Sequence, residues 1–336
     1  MRKTLITCLL VGLTGCAFSS TPTADSTTVV VATHSSWAMD KAVIKAFEKE
    51  SGYTVRIRPQ GDAGELTNKL ILTKDAPIAD VVYGIDNTFA SRATDASIIA
   101  AFEPKNAPKD VASRKGLTPI DVSDVCVNID DTWFAAKKIP APRTLGDLTK
   151  RRYRNLTVTP GANTSSTGLA FLLATIATYG DAWPTYWTRL MANGLKVDAG
   201  WEDAYTVDFT AGGGKGSRPI VVSYASSPPF TVPEGGTKPT TSALLDTCFR
   251  QVEYAGVLAG AKNPDGAKAF VEFMVSAPFQ EALPENMYVF PSTGATVPKD
   301  WARWAPLPEH PLSLDADLIA TNRDTWLATW RDIVTS

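Results

Sequence analysis

Thr28-Val29-Val30-Val31-Ala32-Thr33, then residues 41–49 with Val43, Ile44 and Phe47, then Tyr53-Thr54-Val55-Arg56-Ile57 form the stretch that decides the fold. The first run is unbroken and β-branched, as in a strand covered on both faces. The second puts its apolar residues at helical spacing and stops at Gly52, and the third alternates like a half-buried strand. Residues 65–74 then read as a helix with Glu65 and Lys69 one turn apart, and Ala79-Asp80-Val81-Val82-Tyr83-Gly84 as a buried strand. Strand and helix alternate through two successive βαβ units, whose crossovers are right-handed. The fold class is therefore α/β.

A second series of the same kind begins with the strand Leu156-Thr157-Val158-Thr159. Helices over 167–179 and 183–191, a short strand at 195–197, a helix over 201–209 and the strand 219–224 follow. Between the two series lies an extended run, 122–130, which contains Cys126; a matching run, 248–257, follows the second series. Extended segments bracketing one domain are what a two-lobed chain with a two-strand hinge requires. The tail reads as a helix over 264–276 opened by Pro264, another over 278–283, and a final helix over 324–334 with Trp326, Trp330 and Ile333 on one face.

The 336 residues carry 33 Lys+Arg against 35 Asp+Glu, a formal net charge of −2, and 44% are hydrophobic: ordinary globular composition, enough for about two domains. No basic block offers a footprint for a phosphate backbone, so nucleic acid is not expected as a partner. Arg2 and Lys3 precede the apolar run 5–13, which is too short to span a bilayer and has the form of a secretory signal. Leu13-Thr14-Gly15-Cys16 resembles a bacterial lipobox, which implies lipidation of Cys16 and cleavage before it; a plain signal peptide cleaved near Ala24 is the alternative. Residues 1–15 are then the signal and 16–27 a Ser/Thr-rich tether. Cys8 leaves with the signal and Cys16 is taken by lipid. Cys126 and Cys248 are left, either as one bridge or as two separate buried thiols.

Several chemistries find no support. Gly212-Gly213-Gly214-Lys215-Gly216-Ser217 lacks the Gly-Lys-Ser/Thr end of a phosphate loop and reads as a flexible turn. Two histidines, His34 and His310, and two distant cysteines cannot make a zinc spacing, and no G-x-S-x-G elbow precedes either histidine. No catalytic residue, metal or cofactor is expected.

Four segments are more specific: Asp80-Val81-Val82-Tyr83-Gly84-Ile85-Asp86-Asn87, Gly200-Trp201-Glu202-Asp203-Ala204-Tyr205, Val222-Ser223-Tyr224-Ala225-Ser226-Ser227-Pro228 and Phe273-Met274-Val275-Ser276-Ala277-Pro278-Phe279-Gln280. In order and spacing they resemble the thiamine-binding receptors among the extracytoplasmic solute-binding proteins of ABC importers. The resemblance implies a two-lobed, type II periplasmic-binding fold with the ligand cleft between lobes. One lobe would comprise 28–125 and 249–285, the other 126–248 and 286–336 with the C-terminal helices. In that fold the two crossing strands are neighbours, which would bring Cys126 and Cys248 within reach of a disulfide.

Thiamine presents a flat aminopyrimidine, a cationic thiazolium and a hydroxyethyl arm that can carry phosphate, so its site needs aromatic faces, an acid, and amide or hydroxyl donors. Carried over by position, Trp201, Tyr224, Phe230 and Tyr288 stand where the family places cleft aromatics, with Phe230 in place of the usual Tyr and Tyr288 in place of Trp. Ser165 and Ser166, ahead of a long apolar helix, fall on the phosphate side, where a helix N-terminus favours an anion. His34, replacing a Tyr, and Trp37 follow the first strand, and Asp62 is the candidate for the polar or cationic end of the ligand. No Tyr-Tyr pair of the ferric receptors is present. The implied partners are thiamine or a thiamine phosphate, an ABC permease, and the bacterial cell membrane through the lipid anchor, with the chain a monomer outside the cytoplasm. The alternatives are a receptor for another small cationic or pyrimidine-containing solute, such as a thiamine precursor or polyamine, and a secreted hydrolase using a serine with His34.

Overall fold

The computed structural model describes residues 27–109, 111 and 113–336; the expected signal peptide, Cys16 and the tether up to residue 26 lie outside them. The apolar run that opens the described chain becomes β1 (Thr28–Thr33). Asp40 caps α1 (Lys41–Ser51) by accepting from the Ala42 N–H at 2.7 Å, and Gly52 ends it in the left-handed conformation. Then come β2 (Thr54–Pro59), α2 (Ala63–Leu72), β3 (Val81–Asp86) and a short helix, α3 (Ala90–Asp95). β1 lies between β2 and β3, parallel to both.

The chain crosses over on β4 (Leu117–Asp130), turns through α4 (Asp131–Lys137), and builds β5 (Thr157–Pro160), α5 (Ser166–Tyr179), α6 (Trp183–Ala192), β6 (Lys196–Asp198) and β7 (Ile220–Tyr224). It returns on β8 (Thr241–Val257), followed by α7 (Pro264–Met274), α8 (Ala277–Met287), β9 (Phe290–Pro291), α9 (Trp301–Trp304) and α10 (Ala316–Thr335). Among the described residues all nine strands belong to one mixed sheet, ordered β2-β1-β3-β8-β4-β7-β5-β6 with β9 beside β4.

β4 and β8 are the axis of the molecule. They pair antiparallel from Leu117 opposite Gly256 to Asp130 opposite Thr241. β3 joins β8 from Val81 opposite Val257 to Asp86 opposite Glu253, whereas β7 joins β4 over Val125–Ile129. Each half of the sheet thus hangs from one of the two crossing strands. Where the ladder shifts register between Val125 and Val127, Cys126 is bonded to Cys248, and the bridge spans 122 positions of sequence. Both crossing strands begin earlier than their apolar patterns suggest, at 117 rather than 122 and at 241 rather than 248. Pro119 and the buried Asp121 break the first pattern.

Two apolar layers flank the sheet. Val29, Val31, Phe47, Phe270 and Phe279 pack under the first half, together with Met287 and Val289. The other cluster runs from Leu66, Val82 and Phe89 to Phe171, Leu172 and Trp187. α5 is buried at every residue from Ser166 to Ile176, and the Trp187 indole N–H donates to Thr175 Oγ1 at 2.9 Å, so its burial leaves no donor unpaired. Each such side chain contributes ~1.5–3 kcal/mol relative to exposure. α10 packs on α6 with Trp330 edge-on to Trp187.

Candidate functional site

The C-terminal ends of β1 and β7, the N-termini of α2 and α5, and residues 200–205 converge over the crossing strands, where open α/β sheets place their ligand sites. They enclose about 220 Å³, which limits a guest to a small solute. Of the expected ligand contacts, His34, Trp37, Asp62, Ser166, Trp201, Tyr224 and Tyr288 line this space, and Ser165 and Phe230 do not. Ser165 is fully buried, its hydroxyl 3.0 Å from that of Thr167. Phe230 is stacked on Tyr288, with ring centroids 3.4 Å apart, and meets Trp301 edge-on. It backs Tyr288 from the side away from the lining.

The aromatic wall is held by its own hydrogen bonds. Trp201 lies flat on Tyr205 at 5.0 Å and 13°, and Tyr224 and Tyr288 are each 6.0 Å from its ring. The Trp201 indole N–H donates to Ser223 Oγ at 2.9 Å, and that hydroxyl lies 2.8 Å from Ser227 Oγ. Tyr288 ends α8 at φ 63, where glycine or asparagine is usual, and its carbonyl accepts from the Ser226 hydroxyl. On the opposite side, Trp37 meets Tyr83 edge-on at 5.2 Å. The His34 ring lies over Gly84, whose φ of 102 and missing side chain make room for it: a Cβ there would collide with the imidazole.

Both oxygens of Asp62 are engaged. Oδ1 accepts from the Ala63 N–H at 2.7 Å and caps α2; Oδ2 accepts from the Trp201 N–H at 3.0 Å, across the cleft. Beside it the Gly64 N–H donates to the Thr164 carbonyl at 2.8 Å, and a Cβ on Gly64 would stand 2.7 Å from that oxygen. The start of α2 is thereby hydrogen-bonded across the cleft to residues 164 and 201.

The floor is acidic. Tyr83 donates to Asp121 Oδ2 at 2.7 Å and lies 3.3 Å from Glu253 Oε2, and His34 Nε2 is 3.8 Å from Glu253 Oε1. Burial pushes Glu253 well above the carboxylate range, with Asp121 and Asp86 adding to the shift; burial also raises Asp121, to about 8, against the Tyr83 hydrogen bond. Burial lowers His34, partly opposed by Asp62, and its Nε2 has no hydrogen-bond partner, serine or otherwise. The nearest guanidinium on these strands, Arg250, is committed to Asp124 at 2.6 and 3.2 Å. Among the described residues no Lys or Arg lines the cleft.

Flat rings beside an acid without a basic partner suit a flat cation, and the N-terminus of α5 can accept an anionic arm. Among the lining residues that escaped the sequence reading, Tyr205 and Glu253 matter most to the chemistry. Tyr205 was accessible, since it stands four positions after Trp201 on a helical segment. Glu253 was not: nothing in its strand distinguishes a buried acid from an exposed one.

Comparison with known proteins points the same way. The family described as bacterial extracellular solute-binding protein matches residues 76–317. The thiamine-binding periplasmic protein of Salmonella typhimurium is 28% identical over 304 residues, 89% of each chain. That of Brucella melitensis is 30% identical over 305 residues, 88% of this chain and 87% of its own. Among solved structures, a periplasmic thiamin binding protein superposes with a TM-score of 0.81 at 25% identity, covering 96% of this chain and 99% of the other.

Proposed function

The chain belongs to the bacterial extracellular solute-binding proteins, the capture components of importers, and we propose that its own solute is thiamine or a phosphate ester of thiamine, held in the cleft between the two lobes. The observation that carries this reading is the pairing of a three-ring aromatic wall, Trp201, Tyr224 and Tyr288, with the acid Glu253 in a cleft that no Lys or Arg lines among the described residues. A heteroaromatic cation satisfies both surfaces at once, through stacking and cation–π attraction on one and charge on the other. Ser166, at the start of α5, lies on the side where the hydroxyethyl arm or its phosphate would end. The relatives that span nearly the whole chain are named for the same solute.

In this reading the protein changes no bond. It receives the solute as a monomer, closes on it, and passes it to a membrane permease. Cys16 carries the lipid that holds it at the cell membrane, residues 16–27 are the tether, and the lobes divide as 28–125 with 249–285 and 126–248 with 286–336. Titration calorimetry on the mature protein with thiamine, its monophosphate and its diphosphate tests the assignment: saturable heat with at least one supports it, and silence with all three ends it. Solute recovered chemically unchanged after long incubation separates capture from hydrolysis.

A further inference from the structure

Three carboxyl groups lie together beneath the cleft, Asp86, Asp121 and Glu253, at 0%, 0% and 4% exposure. A buried carboxylate needs a cation or several donors to offset its lost hydration. Asp86 has donors, the N–H and hydroxyl of Thr88 and the N–H of Phe89 at 2.6–3.0 Å, and Asp121 has the Tyr83 hydroxyl. Glu253 has the same Tyr83 hydroxyl only at 3.3 Å. It alone of the three lines the cleft, and the side chain nearest its other oxygen there, His34, is 8% exposed with Nε2 unpartnered. Asp62, the acid the sequence suggested for the ligand's charge, already spends both oxygens on backbone N–H groups.

Building on the reading of the cleft as a cation site, we propose that Glu253 is the counter-charge for the cationic part of the bound solute and that it releases a proton to solvent when the solute enters. The titratable and charged groups facing it are Tyr83 and Asp86 on β3, Asp121 on β4, His34 after β1, Asp62 at α2 and Tyr224 on β7. None brings a permanent positive charge, so in the empty protein the group is held well above its ordinary range, burial being the largest cause. A cation beside it reverses that balance, and the proton leaves. Binding therefore strengthens as pH rises through the empty-state range of Glu253 and levels off above it. Protonation of His34 at lower pH acts in the same direction, by repulsion.

Calorimetry in two buffers of different ionisation heat counts the protons released as thiamine binds, and a titration series from about pH 6 to about pH 8 gives the slope. The wild type is expected to release protons as thiamine binds. Glu253→Gln is expected to abolish that release, to flatten the slope apart from any part owed to His34, and to weaken thiamine by ~30-fold or more. Thiochrome, a neutral tricyclic relative of thiamine, is expected to bind the wild type at least tenfold more weakly than thiamine does, and that gap closes in the variant. Affinity within twofold of wild type and unchanged proton release in Glu253→Gln would overturn the proposal. If the variant does not fold, the wild type still decides: no proton release and equal affinity for thiamine and thiochrome overturn it. A wild type that ignores thiamine but takes up spermidine with proton release discards the thiamine assignment and keeps Glu253 as the counter-charge.

Discussion

The wall and the floor of the cleft are finished to different degrees. Trp201 stacks on Tyr205, Tyr224 and Tyr288 pack tilted and edge-on against the same indole, and the polar atoms that place these rings are bonded to Ser223, Ser226 and Asp62. The wall is complete as protein. The floor is not: Glu253 and His34 lie 3.8 Å apart without a hydrogen bond between them, and Asp121 Oδ1 and Asp86 Oδ2 are buried without partners. The difference separates two tasks. In the proposed reading a preformed wall would select by shape, losing little side-chain freedom when a ring slides onto it, whereas an electrostatically incomplete floor would select by charge, a cation taking the place of the proton that burial otherwise holds there.

The largest expected effect tests whether the floor can be loosened alone. Cys126 and Cys248 join the two crossing strands, and replacing both by Ser removes a link across 122 positions. Stability to denaturant should fall by ~2–5 kcal/mol, with thiamine affinity little changed where the protein remains folded. An affinity that collapses along with stability would mean that wall and floor are one unit. Next, Trp201→Ala should weaken thiamine by ~5- to 150-fold, the worth of one base–aromatic stack, with the circular dichroism spectrum retained. No loss would identify the indole as core packing. Phe230→Ala touches the wall from behind and should cost ~2- to 12-fold through a looser Tyr288, as one aromatic pair is worth ~0.5–1.5 kcal/mol; an effect equal to that of Trp201→Ala would place Phe230 against the solute itself. Smallest, Ser166→Ala should weaken thiamine phosphates by ~2- to 5-fold, the scale of one helix-end contact to an anion, and leave free thiamine unchanged. Equal losses for the two would move the phosphate elsewhere.

The wall was more legible in the sequence than the floor, and the reason is physical. Strands such as Val29-Val30-Val31 and the fully buried run of α5 announce themselves because burial on all sides demands unbroken apolar sequence. Trp201, Tyr224 and Tyr288 could be carried over because they sit in recognisable segments. β4 and β8 hide their first residues because Pro119 and Asp121 in the one, and Thr241, Ser242, Asp246 and Thr247 in the other, interrupt the apolar pattern. α3 and α4, at 6 and 7 residues, are shorter than the window in which helical periodicity shows, and α10 begins at 316 rather than 324 because Thr321, Asn322 and Arg323 interrupt its apolar pattern. Phe230 and Ser165 were placed in the cleft by position alone; position along a chain does not say which side of a neighbouring ring a residue occupies.

The two bonds at the mouth of the cleft, Gly64 to Thr164 and Asp62 to Trp201, bear on time rather than on choice. Each is worth little alone, ~0.5–1.5 kcal/mol, but a guest under the lip departs only when both are open together. The dwell time of a captured molecule is therefore written at the rim, by a backbone amide and a helix-capping carboxylate, while which molecule dwells there is decided deeper in. In the proposed reading, a permease that parted those two contacts would open the lip before it met the stack or the charge.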